Sequence, residues 1–266
     1  MTKKSNRLLT FLTMTATQSP SKSNIAASAG SHTALLDMIS GGVSGTAGSV
    51  IVGLNWTLVR GPDGVGLAHT PVRGTQGCYA LPDSGGYDGA SLGDLATLRK
   101  STNVFEQAIA LAAINAHHNR LDCPGEAING LDLIEDRGAR TAIIGRFPSL
   151  ESKLPGALVI EREPGPNDYP EDAAADILPN CEQVAITAST LLNGTLAGLL
   201  ALAPNAYVVL VGPSAPLAPC LFARGVNAIS GFIATDIPRL ERVVAQGGAV
   251  RAMKQCGRNA TIQKPA

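Results

Sequence analysis

The chain has 266 residues, with 21 basic and 21 acidic side chains and no long Lys/Arg run. That balance argues against a nucleic-acid partner, which calls for a basic stripe. The length suits one large domain or two ordinary ones. Hydrophobic residues make up 45% but aromatics only 4%, so Ala, Val, Leu and Ile must build the core.

The five cysteines, Cys78, Cys123, Cys181, Cys220 and Cys256, are scattered, and no two are spaced C-x-x-C. Free thiols in a reducing compartment fit this pattern better than a disulfide framework or zinc ribbon, so the expected location is cytoplasmic. His117 and His118 are neighbours, and neighbours on a helix diverge by about 100°. A polar pair at a helix end is favoured over a shared metal. No segment is long and apolar enough to span a bilayer, so no membrane partner is expected.

Residues 1–30 are rich in Ser, Thr and Ala. Lys3, Lys4 and Arg7 precede a short apolar stretch, Leu8–Met14, broken by threonines. The reading is a poorly ordered extension, with export as the lesser alternative. A first domain, 31–122, opens with a short helix over His32–Ile39. Ser49–Val59 reads as one strand, Gly61-Pro62-Asp63-Gly64 as a turn, and Val65–Thr70 as the returning strand of a hairpin. The Gly-rich stretch Thr75–Gly89 reads equally as a mobile cover or an irregular connection. Ser91–Leu98 is helical. Asn103-Val-Phe-Glu106 has the form of a capping box. It opens a helix over Val104–His117 that is apolar nearly all round and therefore buried. Asn115 lies near its end. A buried Asn needs partners, either as a structural cap or as a contact at the domain junction.

A linker over 123–137, with Pro124, glycines and acids, leads to a second domain, 138–260. Short apolar runs there read as strands: Thr141–Ile144, Ala157–Ile160, Val184–Ile186, Tyr207–Val211 and Ala228–Ile229. Helices are expected near Glu171–Ala175, Leu191–Leu202, Pro219–Ala223 and Pro238–Ala245. Asp236 is the N-cap of the last helix and Gly247-Gly248 its stop. The alternation predicts an α/β fold: a Rossmann-like, doubly wound parallel sheet preceded by a smaller α+β domain.

In such a sheet ligands lie beyond the carboxyl ends of the strands. The central stretch is Val184–Thr195, where a strand stops at Thr187, Ser189 and Thr190 before a helix begins. The other strand ends offer Gly145-Arg146-Phe147-Pro148, then Glu161-Arg162-Glu163 with Asn167-Asp168, then Gly212-Pro213-Ser214, and finally Gly231 and Asp236. A dinucleotide turn would read G-x-G-x-x-G. Here it reads GRFPSL, with Phe147 and Pro148 where a pyrophosphate would pass, which argues against NAD. Glu161 does stand where a ribose-binding acid would, so a nucleoside-type cofactor stays open. The turn around Ser214 resembles an anion site, although its prolines remove donors. There is no G-x-S-x-G elbow, and all four histidines lie outside the C-terminal half. Glu161, Glu163, Asp168 and Asp236 are acids available to a metal, but no local spacing marks a site.

AIIGRFP, VIEREPGPNDYP, AITASTLLNGTL, VVLVGPSAPL and GVNAISG follow one another in order. VIVGLNWTLV, GLAHT, SLGDLA and AIALAAINAHHN precede them. Over roughly Leu35–Gly257 these motifs resemble the "putative heavy-metal chelation" family of unknown function. Its members join an enolase-N-terminal-like domain to a Rossmann-like domain. The resemblance implies a cleft between the domains lined by Asn115, Arg146, Phe147, Glu161, Thr187, Asn193, Thr195, Gly212, Pro213 and Ser214. The family pattern carries a histidine where Arg146 stands and a glycine where Asn167 stands, so an imidazole ligand is missing here. The expected occupant is a small polar ligand, a metal chelate or its precursor. Glu161 would supply charge or a metal bond, Thr187, Asn193 and Thr195 hydrogen bonds, and Gly212–Ser214 an anion seat. The alternative is a transferase or lyase using a nucleoside-type cofactor, with Glu161 or Asp168 as acid/base. A third reading gives the cleft to dimerisation, which leaves a homo-oligomer open.

Overall fold

The structure is a computed structural model that describes residues 32–71 and 81–265. The extension 1–30 and part of the Gly-rich stretch, with Cys78 and Tyr79, lie outside the described residues.

Helix α1 (32–40) leads into a three-stranded antiparallel sheet of β1 (Ser49–Val52), β2 (Trp56–Arg60) and β3 (Val65–His69). The expected single strand over 49–59 is therefore two. The chain reverses at Gly53-Leu54-Asn55, where Gly53 N–H donates to Trp56 O at 2.9 Å and Val52 faces Thr57. A Cβ on Gly53 would lie 2.2 Å from the carbonyl oxygen of Val244, in helix α7 (Ile237–Ala245). The glycine admits that helix, and the strand breaks there.

Ser91 Oγ caps α2 (Leu92–Thr97) by accepting from the amides of Gly93 and Asp94. Asn103 caps α3 (Val104–His118), its Oδ1 accepting from Phe105 N–H at 3.0 Å. Glu106 accepts from the hydroxyls of Ser101 and Tyr87. Every residue of α3 from Ala108 to Ala116 is buried, as its all-round apolar sequence predicts. Its alanines let β3 come very close: a Cβ on Gly66 would sit 1.8 Å from Ala112 O and 2.3 Å from Ala116 N.

The second sheet has seven strands: β4 (Thr141–Ile144), β5 (Leu158–Glu161), β6 (Tyr169–Pro170), β7 (Gln183–Thr187), β8 (Tyr207–Val211), β9 (Ala228–Ala234) and β10 (Gly257–Gln263). Their order is β10-β9-β8-β7-β4-β5-β6. All pairs are parallel except β9 with β10. The remaining helices are short: α4 (Leu150–Lys153), α5 (Ala174–Ile177), α6 (Leu196–Leu202) and α8 (Val250–Met253).

Three further details differ from the sequence reading. β9 continues through Gly231, which was expected beyond the strand; a Cβ there would lie 2.8 Å from Ala215 O, so this glycine serves close packing, not a turn. The antiparallel β10 was not foreseen, because its polar Arg258, Asn259 and Gln263 hide a strand. The helix expected over Leu191–Leu202 begins only at Leu196, after a 3-10 turn over Ala188–Leu191.

The two sheets share their cores. One cluster joins Ile109 and Ile114 of α3 to Ile186, Leu191 and Leu210. Another joins Trp56, Leu58 and Leu67 to Phe232, Leu240 and Val244. Among the described residues no helix is long and apolar enough to cross a membrane.

Gly66→Ala should destabilise the protein by about 3 kcal/mol, the upper range for overpacking, because helix backbone cannot yield as a side chain does. Urea denaturation would measure this.

Candidate functional site

β4 pairs with β5 on one side and β7 on the other, so chain direction across the sheet reverses at β4. This is the topological switch point, where the connections leave to opposite faces and open a crevice. A cleft of about 350 Å³ lies there. Gly145 makes the close approach of the two strand ends possible. Its φ is +94°, and a Cβ would stand 2.7 Å from Thr187 Cγ2.

Of the ten residues expected in the cleft, Arg146, Phe147, Glu161, Thr187, Asn193, Thr195, Gly212 and Pro213 line it. Ser189, Thr190 and Arg162 join them. The antiparallel sheet contributes Trp56 and His69, whose rings meet edge to face with centroids 5.7 Å apart. Sequence reasoning missed both as lining residues. The signal was the position of His69 at the end of the hairpin, in the GLAHT motif.

Asn115 and Ser214 stand behind the wall. The Asn115 side chain donates to Leu67 O at 2.7 Å and Ser214 O at 2.9 Å, joining β3 to the loop after β8. Ser214 is buried, and its hydroxyl accepts from the His69 amide at 3.0 Å. The expected anion turn is also committed elsewhere: Gly212 N–H donates to Ser230 O at 2.9 Å, and Pro213 has no N–H.

Arg146 and Arg162 are the arginines of the cleft. Arg146 is the more firmly braced. It pairs with Asp168 and with Glu151. Asp168 has only 3% of its side chain exposed, against 44% for Arg146. The Arg146 hydrogen bond, helped by the Gly165 amide at 2.8 Å, holds the Asp168 carboxyl below the usual carboxylate range. Asp168 in turn raises the Arg146 guanidinium, with Glu151 adding to it. A group held ionised in this way orients its partner. Guanidinium has five N–H donors, so donors remain for a ligand. Glu161 is half-buried, and its Oε2 accepts from Arg162 N–H at 3.1 Å. Arg162 reaches Glu171 at 3.7 Å across the mouth.

The hydroxyl wall is ordered by its own bonds. Thr187 Oγ1 and Ser189 Oγ are 3.0 Å apart, and Thr190 Oγ1 donates to Thr187 O at 2.6 Å. Asn193 Oδ1 accepts from both the amide and the hydroxyl of Thr195, at 3.1 and 2.7 Å.

Among the described residues no three His, Cys, Asp or Glu side chains are grouped to hold a metal ion. Burial pushes the Cys181, Cys220 and Cys256 thiols up, away from the thiolate form a soft metal needs. The described residues do not fit a resident metal centre.

Asn115→Leu should cost about 2 kcal/mol in urea denaturation, because it leaves two buried carbonyls unpaired. The Asp168–Arg146 pair should show in the pH dependence. A depressed carboxyl contributes stability that is present above its unfolded pKa of about 3.9 and is lost as pH falls through the lower folded value. Asp168→Asn should therefore be less stable than the parent protein at pH 7. The gap in urea midpoint should narrow at pH 3.

Residues 129–263 match the DUF364 family and residues 37–118 the DUF4213 family, both described as "Putative heavy-metal chelation". A solved DUF364 protein of unknown function from Desulfitobacterium hafniense DCB-2 is 30% identical, with a TM-score of 0.77 over 87% of this chain and 98% of its own. Another, from Pyrococcus horikoshii, is 23% identical, with a TM-score of 0.70 over 89% of this chain and 100% of its own, a likeness of fold alone. No curated protein matches. On these matches, which cover both sheets, the chain belongs to the DUF364 family.

Proposed function

We propose that the cleft binds a small hydroxy- or amino-carboxylate chelator, alone or as its metal complex, and not a bare metal ion. The observation that carries this reading is the braced Arg146 beside Glu161 at the switch point, with no three-donor cluster among the described residues. A ligand that supplies its own metal donors reconciles that cleft with the family's description. Arg146 takes a carboxylate arm, where the planar guanidinium matches a carboxylate better than a point charge would. Glu161 accepts from the ligand's hydroxyl or amine, or completes the coordination of the metal the ligand carries. Thr187, Asn193 and Thr195 complete the polar wall, and Trp56 with Phe147 covers the ligand's carbon face.

A second reading has one observation in its favour. Glu161 ends β5, the second strand of the parallel run, where an acid meets the ribose of a nucleoside. That reading makes the protein an enzyme with a nucleoside-type cofactor.

Native mass spectrometry of the freshly purified protein, against its denatured mass, would reveal a retained ligand and count the subunits. Isothermal titration with citrate, nickel citrate, Ni²⁺ alone and adenosine then separates the readings. Citrate or its nickel complex should bind at one per chain. Arg146→Ala should weaken that binding at least tenfold, about 1.4 kcal/mol. Glu161→Gln should keep the fold and also lose affinity. Failure of both citrate forms to bind, or tighter binding of Ni²⁺ alone, overturns the proposal. Binding of adenosine alone transfers the cleft to the second reading.

A further inference from the structure

A second cavity, of about 500 Å³, lies on the other side of the 191–194 segment. It has two kinds of wall. Leu36 of α1, Leu111 and Ile114 of α3, and Leu192 give it an apolar floor. Arg99, Lys100 and His32 give it a basic mouth, and no carboxylate lines it among the described residues. Arg99 is already matched, pairing with Asp37 at 2.6 Å. Lys100 is exposed and makes no ion pair among the described residues. Lys100 is near enough to Asp37 to help Arg99 hold that carboxyl below its usual range, so the mouth carries two cations to one neighbouring acid.

His32 adds an independent observation. Its Nδ1 is buried and finds no hydrogen-bond partner among the described residues. Buried polar atoms are nearly always paired, so an orphan marks a place where a partner belongs. Burial also holds the imidazole pKa below its ordinary value, which leaves a neutral ring with one N–H to give.

We infer that this cavity is a second ligand site, for a small monoanion with an apolar body such as an aliphatic carboxylate. The carbon chain lies over Leu36, Leu111, Ile114 and Leu192. The carboxylate sits at the mouth, near Lys100, and accepts a hydrogen bond from His32 once a rotation of the ring turns the unpartnered nitrogen into the cavity. Ligand sites of this kind join a mostly apolar lining to a few placed polar groups. The site is separate from the cleft, since only Asn193 lines both. It does not depend on what the cleft binds.

Isothermal titration of the full chain with sodium octanoate tests this, with inorganic phosphate as the anion that has no apolar body. Octanoate should bind at one per chain, and phosphate more weakly by at least tenfold. Lys100→Gln removes the charge at an exposed position. His32→Phe removes the orphaned nitrogen and keeps a ring in the wall, so its thermal midpoint should hold or rise. Each variant should weaken octanoate binding at least fivefold, while Arg146→Ala, in the cleft, should leave it unchanged. The inference is overturned if octanoate does not bind, if phosphate binds as tightly, if both variants bind as the parent does, or if Arg146→Ala abolishes binding.

Discussion

The side-chain amide of Asn115 holds together the parts that make the cleft. It reaches one carbonyl on the antiparallel sheet and one on the loop that follows β8. One turn later Asn119 repeats the device, donating to Ala215 O at 3.0 Å and accepting from Leu217 N–H at 2.8 Å. In a dry interior such bonds are strong, and leaving them unmade is expensive. Helix α3 is thereby tied to a loop whose other face, at Gly212 and Pro213, lines the cleft. The same tie sets His69, whose amide reaches Ser214. Aromatic wall and parallel-sheet wall keep a fixed spacing because two asparagines on one buried helix connect them.

Much of this was legible before any coordinates. The alternation of short apolar runs with helices marks the parallel sheet, and the strand-end rule places eight expected residues in one cleft. Asn115 stands out as a polar residue in the apolar middle of its helix; its amide nitrogen is satisfied, while its Oδ1 is buried with no partner among the described residues. Two of the failures share a cause: glycines whose reason is tertiary. Gly53 and Gly231 admit a neighbouring backbone atom, and nothing in the local sequence separates that from a turn. β10 was hidden for a different reason. It is antiparallel and its far side meets only a single bridge to Glu126, so it carries polar residues where the buried parallel strands do not. The second cavity has no sequence signature at all, since its walls come from three segments far apart in the chain.

Arg146 bears on how the family's description should be read for this chain. The family pattern leads one to expect histidine there. Imidazole can ligate a metal, whereas guanidinium stays protonated and cannot. Guanidinium suits a planar anion instead, and Asp168 and Glu151 hold this one in place. Under the proposed reading, the group at this position offers hydrogen bonds to an anion where an imidazole would offer a lone pair to a cation. The buried thiols point the same way, since burial favours their neutral form.

The shared cores have a consequence for access. Trp56, Leu58 and Leu67 pack with Phe232, Leu240 and Val244 across what would otherwise be a seam. Parting the two sheets would expose that surface to water, at about 25 cal/mol for each Å². The crevice therefore lacks a hinge. Any molecule that used the cleft would enter past side chains and the strand-end loops, which move in nanoseconds to microseconds, without waiting for slower domain opening. It would meet a pocket already shaped, so little binding energy would go to reorganisation and fit would set selectivity.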